Sequence, residues 1–405
     1  MLPHLRSGNR RWCIRRESPV IHDGMGDGLK GNGNTEGMRW AVAVDRKDEW
    51  LAMELGRAVC RCLADCGCRA ALVHDGEAEG LEAAVLLLLV NLANFPAYCH
   101  QLRRAGRRRP RVILWQMDPL PPPNASPQAE AVGLTAGRWR RRLGLSRSAA
   151  AMSRWQKLAT LIRLREWLCK VASGPGFRRA WRLMQNYAPE PLEVDWRQIR
   201  GLMQSWRNIL DARQEGWLDH LAASTLQRTH FLKARGIPAA FIPVGACEEF
   251  GCEMGLARDI EVLFLGRVKH GRRAAVLARL REELLERGVA LQTVVDDCYG
   301  ATRTRLLNRS RVLVNLNTYP WSPAWIRFLM AARCGAVVVS EPTGDREPFE
   351  PGVHYVAAAT NELAAAVRLL LADEPARARM AAAASEHCRE RLTLVRSVES
   401  LRLLV

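Results

Sequence analysis

Short apolar runs recur along this chain, each too short for a helix and each followed by a helical stretch. "MRWAVAVD", "RAALVHDG", "AAVLLLLVNL" and "PRVILWQMDP" lie in the first half, and "IEVLFLGR", "VALQTVV", "RVLVNLN" and "GAVVVS" in the second. A run that is apolar at successive positions is buried on both faces, so strands of this kind alternating with helices make a parallel sheet covered by helices on each side. A chain of 405 residues exceeds what one core usually supports. The expected fold class is therefore α/β, with two doubly wound Rossmann-like parallel-sheet domains facing a cleft.

The boundaries follow from changes of pattern. Residues 1–37, rich in Gly, Asn and Arg, read as a flexible basic tail. Residues 38–245 form the first domain, 246–258 a linker, and 259–405 the second domain. Within the first, residues 138–182 read as a basic helical insert with 13 basic residues against Glu166 alone, interleaved with Trp139, Trp155, Trp167 and Trp181. Placed at about 100° per residue, Lys157 and Arg165 fall among Leu158 and Leu168, unlike the segregated faces of a membrane-surface helix. Much of the net charge of +18 is local to this insert.

No apolar run reaches the length of a membrane span, and no apolar region follows the basic N-terminus, so a cytoplasmic protein is expected. Twelve scattered cysteines fit a reducing compartment. Cys60, Cys62, Cys66 and Cys68 in "CRCLADCGC" leave two readings open: a metal site of unusually tight spacing, or a helix over Leu51–Cys66 using cysteine as a small buried hydrophobe. No metal and no cofactor are expected.

Ligands of open parallel sheets bind beyond the carboxyl ends of the strands. After "EVLFL" comes Gly266-Arg267-Val268-Lys269-His270-Gly271-Arg272-Arg273, a glycine turn with cations. After "VLV" come Asn315, Asn317 and Tyr319, and after "AVVV" come Ser340 and Glu341. Cations suit phosphate, while amides and a carboxylate suit sugar hydroxyls. Ser322 is a good N-cap and Pro323 fits the first helical position, so a helix carrying Arg327 is expected to start there and to end at Cys334-Gly335. This set of donor-binding candidates suits a nucleotide bearing a diphosphate.

In its order of elements the chain resembles the group 1 glycosyltransferases of the GT-B type, closest to their CgeB-like branch. The resemblance rests on "VLFLGR", "VLVNLN-TY", the helix-Gly-strand-"SEP" unit followed by "EPFEPGVHYV", "AASTLQRTHFLKARGIPAAFIPVG" and "VILWQMDPLPPP". It runs from about Trp40 to Leu392, more closely in the second half. It implies transfer of a sugar from a nucleotide-diphosphate sugar, bound by the second domain, to an acceptor bound by the first. Arg267 and Lys269 match the family's phosphate-contacting turn and Arg327 the arginine of its R-x7-G helix. The family's Glu-x7-Glu positions hold Ser322 and Met330, which leaves Glu341 for the ribose and the stereochemistry open.

Leaving diphosphate charge would be met by Arg267, Lys269, Arg272 and the helix start, without an Asp-x-Asp metal motif. An inverting enzyme would need a base from the first domain; Asp118, directly after a strand, is the first candidate, with His100 and His230 behind it. The acceptor is expected to be anionic or membrane-associated. Two other readings remain: a lapsed enzyme that binds nucleotide sugar, and a nucleic-acid-binding protein using residues 138–182. No RNA- or DNA-reading motif accompanies that stretch, so nucleic acid is not the expected partner.

Overall fold

The computed structural model describes residues 37–45, 51–106, 108–121, 196–268, 271–295, 298–344 and 347–405. The tail 1–36, the basic insert 138–182 and Lys269 lie outside the described residues.

The first sheet contains β1 (Arg39–Val44), β2 (Arg69–His74), β3 (Val85–Val90), β4 (Arg111–Gln116), β5 (His220–Ala223) and β6 (Ala240–Phe241). All pairs are parallel, in the order β2-β1-β3-β4-β5-β6. The second contains β7 (Ile260–Leu265), β8 (Leu291–Val294), β9 (Ser310–Asn315), β10 (Val337–Ser340) and β11 (Tyr355–Ala357), in the order β8-β7-β9-β10-β11, again all parallel. Both sheets thus share one plan, in which the second strand lies outside the first and the third lies on its other side. The strand order reverses between β1 and β3 and between β7 and β9, and each reversal opens a crevice at the carboxyl ends.

The helices of the first domain are α1 (Leu51–Asp65), α2 (Ala78–Glu82), α3 (Pro96–Ala105), α4 (Trp196–Gln214) and α5 (Leu226–Lys233). Those of the second are α6 (Arg272–Leu285), α7 (Gly300–Arg309), α8 (Trp325–Arg333), α9 (Leu363–Ala372), α10 (Glu374–Glu390) and α11 (Leu394–Arg402). The strand period of two sends neighbouring side chains to opposite faces. Val42, Val44, Leu87 and Leu89 share a core with Leu55 and Val59 of α1, whereas Ala41, Ala43, Leu86 and Leu88 share another with Tyr98, Trp206 and Ile209. In the second sheet, Phe264, Val312, Val314 and Val339 pack with Val276, Leu280 and Val367 of α6 and α9. The opposite face, with Leu263, Leu313 and Val338, joins Leu329 and Ala384 in the core that also contains α1. One continuous apolar cluster therefore runs through both domains.

The chain crosses between the sheets twice. Gly245 and Ala246 leave the first domain beside Thr393, where the chain returns: Ala246 N donates to Leu392 O at 2.7 Å and Leu394 N to Ala246 O at 2.9 Å. The last helix, α11, then packs on α1, so the end of the chain covers the first domain. A Cβ at Gly245 would lie 2.1 Å from the Thr393 carbonyl carbon, a backbone atom that cannot rotate away. Gly245→Ala is expected to cost about 1–3 kcal/mol by overpacking this crossing, seen as a lower urea midpoint.

Candidate functional site

A cleft of about 440 Å³ lies between the domains. The first domain lines it with Met117 and Pro119 after β4, Ser224 and Thr225 after β5, and Arg228 on α5. The second lines it with Gly266, Arg267 and Arg273 beyond β7, Val295, Cys298 and Tyr299 beyond β8, Thr318 beyond β9, and the start of α8. Its described lining holds five arginines, namely Arg228, Arg267, Arg273, Arg303 and Arg327, and no carboxylate or imidazole.

Arg327 occupies the β7/β9 crevice itself. Its Nη1 donates to Asn315 Oδ1 at 2.8 Å and to Leu316 O at 3.3 Å, both at the end of β9. On the other side, a Cβ on Gly266 would stand 2.8 Å from Arg327 Nη2, and Gly266 has φ +142°. Glycine is required there twice, by backbone conformation and by the approach of the guanidinium. Arg273 is anchored beside it, donating through Nη1 to Arg267 O at 3.0 Å and through Nη2 to Thr318 Oγ1. Burial, with the like charge of Arg273, pulls the Arg327 guanidinium down to about 9. Burial likewise pulls Arg273 down to about 10, opposed by Glu341 and assisted by Arg272. A guanidinium still keeps its proton at neutral pH. These shifts therefore express two adjacent cations that lack a counter-charge of their own among the described residues, since the carboxylate acting on Arg273 is already paired with Arg272.

The other expected donor residues divide into lining and support. Gly266, Arg267, Ser322 and Arg327 line the cleft. Asn315, Asn317, Ser340, Glu341 and Arg272 are buried beneath it, and Tyr319 stacks on Trp321 with ring centroids 5.1 Å apart. Ser322 does not cap the helix as expected: α8 begins at Trp325, with Ala324 at the N-cap and no side-chain cap. The reason is a competing partner, for Ser322 Oγ accepts from Arg228 Nη2 at 2.9 Å across the domain boundary. Cys334 and Gly335 end the helix as the sequence predicts.

Asp118 sits between the two lining residues Met117 and Pro119 but is not itself among the lining residues. Its Oδ2 accepts from Asn91 Nδ2 at 2.9 Å, and that amide also donates to Ser205 Oγ at 2.7 Å. Burial raises the Asp118 carboxyl above its ordinary value, while the Asn91 hydrogen bond and the charge of Arg228 pull it back. His100 and His230 are exposed on α3 and α5 and are not among the lining residues, so the fold does not bring them to the cleft. The cysteines of "CRCLADCGC" form no disulfide among the described residues, and Cys60 and Cys62 lie on α1, where burial raises their thiols to about 12 and about 11. Among the described residues no three His, Cys, Asp or Glu gather as metal ligands. Arg228 and Arg303 were not signalled by the sequence, because each is one more arginine on a helix until the domains meet.

Residues 265–402, from the end of β7 through α11, match the family described as "Glycosyl transferase-like". In structure the chain is similar to an alpha-glucosyltransferase in complex with UDP and a 13-mer DNA containing an HMU base, at 10% identity over 91% of this chain and 99% of that one, with a TM-score of 0.53. It is also similar to Anabaena HepE in complex with UDP-glucose, at 11% identity, 90% and 98% coverage, and a TM-score of 0.49. A third neighbour is TarM, at 10% identity and a TM-score of 0.46, covering 79% of this chain and 54% of that one. The chain spans about half the length of TarM. No curated protein matches it in sequence. The protein has two parallel-sheet α/β domains in the arrangement of GT-B glycosyltransferases. Among the described residues no helix is long and apolar enough to cross a membrane.

Proposed function

We propose that the protein transfers a sugar from a nucleotide-diphosphate sugar, held at the β7/β9 crevice, to an acceptor held by the first domain. The observation that carries this reading is the adjacent pair Arg273 and Arg327, half-buried at the crevice with no counter-charge of its own among the described residues. A diphosphate supplies the missing anion, and the same guanidiniums stabilise the charge that grows on it as the glycosidic bond breaks. Arg228, reaching from the first domain, completes the cationic wall. In this reading the arginines perform the neutralisation, and no metal or cofactor is required. The neighbours seen with UDP make uridine diphosphate the first nucleotide to test. We place the protein nearest the CgeB-like branch and in the cytoplasm, with an anionic acceptor that residues 138–182 would attract.

Asp118 is the proposed base for the acceptor hydroxyl. A base must be ionised to work, so turnover falls as pH falls through its pKa, which burial sets above the ordinary carboxylate range. Release of UDP from UDP-glucose, with acceptor or water, should show that acid limb. Asp118→Asn should lower the rate by about 10²-fold or more with UDP affinity held within about twofold. An unchanged rate would remove Asp118 from the chemistry.

One observation favours a second reading, nucleotide-sugar binding without transfer. The family's two glutamate positions hold Ser322, engaged by Arg228, and Met330, a thioether lining the cleft. Tight binding of UDP-glucose with no UDP release would establish it.

A further inference from the structure

Glu341 follows β10 at the rim where a carboxylate would meet the ribose of a bound nucleotide. Its bonds lie elsewhere. The residue is 3% exposed; Oε1 accepts from Arg272 Nη2, and Oε2 accepts from the Asn317 backbone N–H at 2.7 Å. Arg272 is 5% exposed, and its Nε and Nη1 find no acceptor among the described residues. Turning Glu341 toward a ribose hydroxyl would strand a buried guanidinium, a cost larger than one hydroxyl contact returns.

From Glu341 a chain of buried hydrogen bonds runs to the cleft. Asn317, held at its backbone, accepts through Oδ1 from Asn315 Nδ2 at 3.2 Å, and the same amide donates to Ser340 Oγ at 2.9 Å. Ser340 Oγ donates in turn to the Glu341 carbonyl at 2.9 Å. Asn315 Oδ1 accepts from Arg327 Nη1 at 2.8 Å. Asn315, Asn317 and Ser340 are fully buried, so no water competes within this chain. The next residue of the same loop, Thr318, anchors Arg273. One carboxylate thus fixes the turn on which both cleft guanidiniums depend.

We infer that Glu341 is a positioning residue, which sets the Asn315–Thr318 turn and through it Arg327 and Arg273, and that it is not a ribose ligand. The inference rests on the nucleotide-diphosphate reading. Ribose selectivity separates the two roles. Wild type and Glu341→Gln are titrated with UDP, GDP, CDP and ADP and with their 2′-deoxy and 3′-deoxy forms. Positioning predicts that the variant binds the preferred diphosphate about tenfold more weakly, with the ratio of deoxy to ribo affinity kept within about twofold. A ratio that collapses toward one in the variant, or an unchanged affinity, overturns the inference while leaving the nucleotide reading standing. Absence of binding by the wild type overturns that reading, and this inference with it. Should Glu341→Gln fail to fold, Asn315→Ala tests the far end of the same chain: the same weakening with the same ratio supports the relay, and wild-type affinity refutes it.

Discussion

Replacing Arg327 by alanine should lower the affinity for the preferred nucleoside diphosphate by about 10²-fold, the worth of one or two charge-assisted hydrogen bonds in a dry site. Stability should hardly fall, and it has reason to rise. Arg327 is half-buried beside another cation, and burial already lowers its pKa to about 9, so a charge with no counter-charge among the described residues carries a cost. The loss of its bond to Asn315 Oδ1 opposes that gain. Arg327→Lys should lie between, since an ammonium keeps the charge but cannot span Asn315 and a phosphate with a planar fork. Calorimetric titration and thermal melting on the same samples separate the effects. A strong fall in stability with affinity retained would mark Arg327 as structural.

Glu54→Ala should cost about 3–5 kcal/mol, the largest stability loss expected of any substitution outside the core. Glu54 on α1 accepts from Arg303 Nη1 at 2.7 Å and from Gly300 N at 2.9 Å, and so joins the first domain to the start of α7 in the second. The two side chains are 16% and 4% exposed. Without Glu54, Arg303 keeps a bond to Glu249 O at 2.6 Å but no opposite charge among the described residues, and the Gly300 N–H loses its acceptor. Urea unfolding should show a lower midpoint, and Glu54→Gln, which retains an acceptor, should recover part of the loss. A change below about 1 kcal/mol would mean that the pair behaves as an exposed one.

The strands were legible where burial leaves no polar position. "VLLLLV" becomes β3 over Val85–Val90, buried at its first five positions, because both faces are covered. The edge strands were less so. β6 has two residues and β11 three, too short to show a period. Helix α3 starts at Pro96 without a side-chain cap of its own, since its free N–H groups are met from another loop: Asp75 accepts from Ala97 N and Tyr98 N, each at 2.9 Å. The candidate site divides in the same way. Gly266, Arg267 and Arg327 follow from strand ends and a helix start, which are local facts. Arg228 and Arg303 reach the cleft only through packing of the two domains, and the burial of Glu341 depends on Arg272, 69 residues away. Sequence located the rim; tertiary contact decided which rim residues line the cleft and which lie beneath it.

The most direct test of the nucleotide-diphosphate reading is a thermal-shift panel of UDP, GDP, CDP and ADP on wild type and Arg327→Ala side by side. The account predicts that at least one diphosphate raises the wild-type Tm in a concentration-dependent way and that the same nucleotide shifts the variant far less. No shift of the folded wild type by any of the four, or an equal shift in both proteins, would contradict it.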